Sequence, residues 1–325
     1  MSTMMLTRLT RLIAAGVGSL LLGTTLAAAQ TVPESPEPIK IAINEWTGQH
    51  ISAHVAGELL KKMGYTVEYV TAGGVPQYAA IAQGSLHLQP EAWSNNVGDI
   101  FPKAVEDGDI VNVGSLGLQP RDGWIYPAYM QELCPGLPDH KALIESASAF
   151  ATPETFPKGR VIDYPADWAT RSADFIANAE LPFQAIPGGS EGAMIAELKS
   201  AYSAKQPLLM MMWAPHWIHA EYELNWIDFP AFDPNCGTDA TLGITPDKVN
   251  DCGFEQADVY KVVSRDFQKT WPAAYAFIER YALDNTAQDK MMLEIDNKGR
   301  KLEEVVSEWV AANEAVWTPW IAPAK

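Results

Sequence analysis

The sequence predicts an α/β protein of two lobes with a cleft between them. Short apolar runs in the strand period alternate with segments in the helix period along most of the chain, which indicates mostly parallel sheets covered by helices. Two such series follow one another, and residues 259–263 are interpreted as a strand that returns to the first series. The chain therefore crosses twice between the lobes, and the two crossings form a two-segment hinge.

The first lobe is predicted from residues 39–120 together with residues 257–325. Residues 30–38 carry three prolines among polar residues and are interpreted as a flexible lead-in. After this lead-in, the apolar periodicity predicts strands at 39–43, 65–70, 84–89 and 110–116. It predicts one helix that ends at Gly64, and further helices at 75–83, 270–282, 286–294 and 301–314.

The second lobe is predicted from residues 121–256. Residues 120–127 are interpreted as the first crossing between the lobes. Strands are then expected at 161–164, 183–186, 208–212 and 225–229, and helices at 191–204 and 215–222. Residues 233–253 are rich in turn formers and are interpreted as an excursion from this lobe. Cys236 and Cys252 flank most of it, which predicts a disulfide between them, although a link from Cys134 to either one is left open.

The first 29 residues have the pattern of a secretory signal peptide. Arg8 and Arg11 precede an apolar stretch from residue 12 to residue 26, and three alanines end the segment. The stretch is too short to span a bilayer, and the small residues predict cleavage after Ala29. No cysteine follows the cut, so we expect an exported protein in the periplasm without a lipid anchor.

The charge of the chain argues against a nucleic-acid partner. The sequence has 23 basic and 40 acidic residues, a net charge of −17. The predicted cleavage removes only the two arginines, which makes the mature chain slightly more acidic. No basic stripe is present to displace counterions from phosphates, so no nucleic-acid binding is expected.

Four tryptophans stand where an apolar run gives way to turn or helix-start residues: Trp46, Trp93, Trp168 and Trp213. In open α/β sheets, the carboxyl ends of the strands face the crevice that holds the ligand. Several indole faces in one crevice suit a soft cation, because cation–π attraction contributes about 0.5–2 kcal/mol for each ring. Any one of these residues could equally be a core tryptophan, but the four together predict an aromatic cage.

Two motifs carry a resemblance to a known family. Residues 213–217 are Trp-Ala-Pro-His-Trp and follow a buried strand, and the helix before them carries Ala-Met-Ile-Ala-Glu-Leu-Lys-Ser-Ala-Tyr at 193–202. Asn-Glu-Trp at 44–46 and Gln-Pro-Glu-Ala-Trp at 89–93 match two further loops in the same order. The mature chain is similar to the substrate-binding proteins of ABC importers for glycine betaine and related osmolytes.

The resemblance implies a type II periplasmic binding fold that works as a monomer with an ABC permease in the inner membrane. It implies that the methylated ammonium group lies among the four tryptophans and that backbone amides after the first strand hold an anionic tail. Thr47 and Gly48 would supply these amides, and His216 would donate to the same tail. Trp217 is a further possible ligand contact.

The ligand is expected to be a zwitterion of the glycine betaine kind. Trimethylamine N-oxide, choline, carnitine and dimethylsulfoniopropionate are the alternatives, and choline would need an acceptor such as Glu45 or Asp167. A turn of Pro-Ala-Asp at 165–167 precedes Trp168 where close betaine binders have a glycine-rich turn, which leaves the tail of the ligand undetermined.

No cofactor, metal or enzymatic activity is expected. His50 and His54 lie four residues apart but lack the glutamate of the zinc hydrolase motif, and His216 and His219 have no apparent third ligand. The glycine pairs are not followed by Lys-Ser or Lys-Thr, so no phosphate loop is predicted. If the protein is an enzyme instead of a binding protein, an exported metal-assisted hydrolase is the alternative.

Overall fold

The computed structural model describes residues 32–97, 100–168 and 171–322. The predicted signal peptide, its cleavage after Ala29 and the first two residues of the lead-in lie outside the described residues. Among the helices within these ranges, none has both the length and the apolar composition that crossing a bilayer requires.

Ten strands and thirteen helices are assigned within the described ranges. The strands are β1 (Ile39–Ile43), β2 (Val67–Thr71), β3 (Leu88–Trp93), β4 (Ile110–Ser115), β5 (Arg121–Pro127), β6 (Gly159–Asp163), β7 (Phe183–Pro187), β8 (Met210–Ala214), β9 (Leu224–Trp226) and β10 (Val259–Ser264). The helices are α1 (Thr47–Lys62), α2 (Pro76–Ala82), α3 (Ile100–Glu106), α4 (Met130–Leu133), α5 (His140–Glu145), α6 (Arg171–Asn178), α7 (Glu191–Ala204), α8 (Ile218–Glu221), α9 (Phe267–Thr270), α10 (Pro272–Arg280), α11 (Asn285–Met292), α12 (Leu302–Ala312) and α13 (Glu314–Ile321).

The strands form two five-stranded sheets, which confirms the predicted two-lobe α/β fold. The first sheet has the order β2-β1-β3-β10-β4 and the second the order β7-β6-β8-β5-β9. In both sheets the strand that follows a crossing runs antiparallel to its neighbours, namely β10 in the first and β5 in the second. Each enters its sheet from the cleft side, where the parallel strands end, and therefore runs in the opposite direction. The lobe limits at residues 120 and 256 stay a prediction.

The third strand lies further along the chain than the apolar pattern predicted. β3 begins at Leu88 and ends at Trp93, whereas residues 84–89 were expected. Gly84 has a positive φ of 71° and belongs to a turn, so the strand starts only after it. All six residues of β3 are buried, which removes the alternation that marks a half-exposed strand. The short helices α3, α4, α5, α6, α9 and α13 were not predicted.

Helix α1 of the first lobe begins at the cleft. Its buried face includes Ile51, Val55 and Leu59, and the helix packs against α11 and α12. Burial of each such side chain stabilises the fold by about 1.5–3 kcal/mol. The amino terminus of α1, which follows β1 directly, is therefore held firmly at the edge of the sheet.

Residues 233–253 are closed by a disulfide between Cys236 and Cys252, while Cys134 is a buried free thiol. The two half-cystines are 16 residues apart in the sequence.

Replacing Cys236 and Cys252 together by serine is expected to lower the free energy of unfolding by about 3 kcal/mol, because the closed loop restricts the unfolded chain. Ligand affinity should not change, since neither residue lines the aromatic cavity described below. Chemical denaturation and calorimetric titration of the same preparations measure the two effects. A loss of affinity with unchanged stability would contradict this expectation.

Candidate functional site

The four tryptophans singled out in the sequence line one cavity. Trp46 precedes α1, Trp93 ends β3, Trp168 ends a short 3-10 turn and Trp213 lies in β8. The volume that the centre of a water molecule can occupy is about 40 Å³. The remaining lining residues are Asn95, Asp122, Tyr164 and Arg171.

The indole rings meet edge to face across the cleft. The centroids of Trp46 and Trp168 are 5.3 Å apart at an interplanar angle of 67°, and those of Trp168 and Trp213 are 5.6 Å apart at 69°. No ring is more than 8% exposed. Trp46 and Trp93 come from the lobe of the first sheet and the other two from the lobe of the second, so the cavity is complete only when the lobes are together.

Glu91 orients the two tryptophans of the first lobe. Its Oε1 accepts hydrogen bonds from the indole Nε1 atoms of Trp46 and Trp93, at 2.9 and 3.0 Å. Its Oε2 accepts from Ser52 Oγ at 2.6 Å and from Gln288 Nε2 at 2.7 Å. The carboxyl group is fully buried, and this burial raises its pKa, whereas the four donors favour the ionised form. The sequence signal, an acid inside a fully buried strand, was not used in the prediction.

A polar edge completes the cavity on the side of the second lobe. Asp122 accepts hydrogen bonds from Tyr164 Oη at 2.5 Å and from Asn95 Nδ2 at 2.9 Å. Arg171 Nη1 lies 3.7 Å from the Asp122 carboxylate and is buried without a hydrogen-bond partner among the described residues. Its Nη2 donates to the carbonyl of Glu255 at 3.0 Å. The sequence prediction missed all of these residues.

The residues expected to hold an anionic tail lie outside the cavity. Thr47 N donates at 2.8 Å to the protein's own Glu191 carboxylate, and the Gly48 carbonyl accepts from Gln288. His216 is fully buried behind Trp213, at 5.0 Å between ring centroids, and its Nε2 lies 3.2 Å from Glu191 Oε1. The predicted role of His216 as a donor to the ligand therefore does not fit its position, because its Nε2–H already donates a hydrogen bond to Glu191.

The three further candidates also lie away from the lining. Glu45 and Asp167 are exposed, and Glu45 borders a separate groove. Partial desolvation of its carboxyl group and the nearby Asp167 carboxylate raise the pKa of Glu45. Trp217 is buried and donates from Nε1 to Asp296 Oδ2 at 3.1 Å. Trp217 thus packs at the cleft wall instead of lining the cavity.

Glu191, His216 and Asp296 place three potential metal-ligand atoms within 4.8 Å of one another. The hydrogen bonds of His216 argue against metal binding at these atoms. The backbone N–H of Ile218 donates to His216 Nδ1 at 3.3 Å, so the proton of the neutral ring is on Nε2, the atom that faces the carboxylates. Metal binding through Nε2 would require a proton on Nδ1, where it would meet the Ile218 N–H. Burial lowers the pKa of His216 to about 3, so the ring stays neutral.

Two α/β lobes that close on a tryptophan-lined cavity define a substrate-binding protein. The OpuAC family, described as the substrate binding domain of ABC-type glycine betaine transport systems, matches residues 37–312, and the chain belongs to this family.

A curated relative is the trimethylamine N-oxide-binding protein of Pelagibacter ubique. It is 30% identical over 306 residues, which are 91% of this chain and 94% of the relative. The fold is similar to that of lactococcal OpuAC in its closed conformation with glycine betaine, with a TM-score of 0.69, 17% identity and coverage of 88% of this chain and 100% of the other. An ABC-transporter choline-binding protein in complex with choline gives a TM-score of 0.69 at 17% identity, covering 89% and 93%.

Proposed function

We propose that this protein binds trimethylamine N-oxide, or a methylated ammonium compound of the same size, and delivers it to an ABC permease. The observation that carries the proposal is the pairing of an aromatic cage with an unpaired guanidinium N–H of Arg171 in the same cavity. The cage suits the methylated head, and the guanidinium suits a single anionic oxygen.

The cage supplies the attraction for the cationic head. Four buried indole rings surround the cavity, and desolvated cation–π contacts contribute about 2 kcal/mol each. The ionised form of Glu91, which accepts from two of these indoles, adds negative potential behind them. Among the described residues, Arg171 is the one positively charged side chain that lines the cavity, and it faces Asp122.

The polar edge supports a ligand with one oxygen acceptor. Arg171 Nη1 is buried and lacks a hydrogen-bond partner within the described ranges, and a buried donor without an acceptor costs about 1–3 kcal/mol. The oxygen of an amine oxide would accept from this atom. Asp122, 3.7 Å away, keeps the local charge balanced before the ligand arrives.

The size of the cavity favours the smallest member of the ligand class. The centres of water molecules can occupy only about 40 Å³, so the cavity is small. Carnitine, with its longer chain, is a poor match for this volume. The name of the Pelagibacter relative supports the same choice. A glycine betaine-like zwitterion, which the sequence favoured, is less well matched, because Glu191 occupies the amide of Thr47 expected to hold its carboxylate.

We also propose that the protein acts in the periplasm as a monomer. The support for the periplasmic location is the predicted signal peptide, cleaved after Ala29. The family assignment supports an ABC permease as the partner. Binding without chemical change of the ligand distinguishes this role from that of an exported hydrolase.

Calorimetric titration of purified protein with trimethylamine N-oxide, glycine betaine, choline, carnitine and dimethylsulfoniopropionate tests the proposal. We expect one site per chain, tightest binding of trimethylamine N-oxide, insensitivity to chelators and recovery of the ligand unchanged. Tighter binding of choline or glycine betaine would overturn the ligand assignment. Turnover of any of these compounds would overturn the proposed role.

Arg171→Met is expected to weaken binding of trimethylamine N-oxide by about 10- to 100-fold, because a hydrogen bond to a charged group contributes about 1.5–3 kcal/mol. Tetramethylammonium, which has no oxygen, should lose much less affinity in the same variant. Arg160→Met is the matched control, since Arg160 lies in the same lobe but pairs with Glu197 away from the cavity. Equal losses for both ligands would show that Arg171 does not contact the oxygen.

A further inference from the structure

The cleft beside the cage contains a buried polar cluster that the proposed function does not use. Glu191, at the start of α7, is 5% exposed and joins residues of both lobes. Its Oε2 accepts from the backbone N–H of Thr47 in the first lobe, and its Oε1 accepts from His216 Nε2 in the second. A second carboxylate, Asp296, accepts from Thr47 Oγ1 at 2.7 Å and from Trp217 Nε1 at 3.1 Å.

The contacts of Glu191 lead directly to two walls of the cage. Thr47 follows Trp46 in the chain and is the first residue of the sixteen-residue helix α1, so its N–H has no acceptor within the helix. At this helix terminus the helix dipole favours a negative charge. His216 packs edge-on against Trp213. One carboxylate therefore ties the helix start beside Trp46 to the ring that supports Trp213.

We propose that Glu191 is a positioning residue that holds the two halves of the cage together across the closed cleft. The proposal rests on the proposed function, in which the cage binds a methylated ammonium compound. Glu191 occupies the helix terminus in place of a ligand anion, so the contact that closes the lobes is supplied by the protein itself.

The charges around Glu191 make this closure dependent on pH. Asp296, the neutral ring of His216 and, from α1, His50 face Glu191. The adjoining groove contains Glu45 and Lys199. Burial raises the pKa of Glu191 to about 7, and burial with the neighbouring Glu191 charge raises that of Asp296 to about 6. Opening the cleft exposes both groups to water and returns these values toward 4.5 and 3.8.

The sign of the effect follows from the raised pKa values. Closure takes up a proton between about pH 4.5 and pH 7, and the closed form is favoured as the pH falls through this range. One proton with a closed-state pKa of about 7 makes binding about tenfold tighter at pH 6 than at pH 8. Because His216 stays neutral, it does not reverse this direction.

The test is titration with trimethylamine N-oxide at pH 6, 7 and 8, in buffers of different ionisation enthalpy so that proton uptake is counted. We expect the wild-type protein to bind about tenfold more tightly at pH 6 and to take up protons on binding near pH 7. Glu191→Gln should bind with a nearly flat pH profile. Glu197→Gln is the matched control, because Glu197 lies on the same helix and pairs with Arg160 away from the cleft cluster, and it should follow the wild type.

A wild-type profile that is flat, or a slope that persists in Glu191→Gln and disappears in His50→Gln, would overturn the proposal. A measurement on the ligand-free protein tests the role of Glu191 independently of the proposed ligand. Small-angle scattering of the ligand-free protein should give a smaller radius of gyration at pH 5.5 than at pH 8, and no such difference for Glu191→Gln. If no ligand binds but this difference is observed, the proposed function fails and the role of Glu191 in closure stands; equal radii in the wild type would overturn that role.

Discussion

Glu91→Ala is expected to lower the free energy of unfolding by about 3–5 kcal/mol and to abolish measurable ligand binding. The substitution leaves the indole donors of Trp46 and Trp93, together with Ser52 Oγ and Gln288 Nε2, without their acceptor. Each buried donor that loses its acceptor costs about 1–3 kcal/mol, and water that enters the space recovers part of this. Urea denaturation and calorimetric titration measure the two losses.

Glu91→Gln separates the two effects. The amide oxygen still accepts from both indoles, so we expect a stable fold with the cage oriented but without the negative charge behind it, and a moderate loss of affinity. Glu68→Ala is the matched control, because Glu68 is an exposed carboxylate on β2, the edge strand of the same sheet. If Glu91→Ala binds as tightly as the parent, Glu91 does not orient the cage.

Trp213→Ala is expected to weaken binding of trimethylamine N-oxide by about 1–3 kcal/mol, which is roughly 5- to 150-fold in Kd. The loss combines a desolvated cation–π contact with apolar burial, and it removes the ring that Trp168 packs against at 5.6 Å. Titration calorimetry gives the affinity, and ligand-induced quenching of the remaining tryptophan fluorescence gives an independent value.

Trp309→Ala serves as the control for this substitution. Trp309 is partly buried on α12, outside the cavity, so its removal changes the fluorescence and some packing but should leave Kd within about twofold. Parental affinity in both Trp213→Ala and Trp93→Ala would exclude the cage as the ligand site.

The sequence predicted the fold because strand and helix periods are local signals. The run 39–43 matches β1 residue for residue, and the return strand at 259–263 matches β10. The start of β3 was wrong because a strand buried on both faces has no alternation. The short helix α6 was missed, since six to eight residues give too few turns for a helical period to stand out.

Site residues could be predicted only where the residue type and its position at the end of an apolar run both pointed to ligand binding. Tryptophans at the ends of apolar runs led to the four that share the cavity, whereas Asp122 and Arg171 are ordinary charged residues, 49 positions apart, that meet only because β5 and α6 lie close together within the second lobe. His216 was placed at the ligand because the sequence does not show that Glu191, 25 residues away, reaches it first. Which of two polar neighbours a buried group selects is a property of the tertiary structure.

The shared acceptor under Trp46 and Trp93 also bears on the order of events when a ligand arrives. Both indoles are fixed by one oxygen within a single lobe, so this half of the cage keeps its geometry while the cleft is open. Two aromatic rings that need no reorientation lose little side-chain entropy on contact. We therefore expect a ligand to settle first on the lobe that carries Glu91, and the lobe with Trp168 and Trp213 to fold over it afterwards.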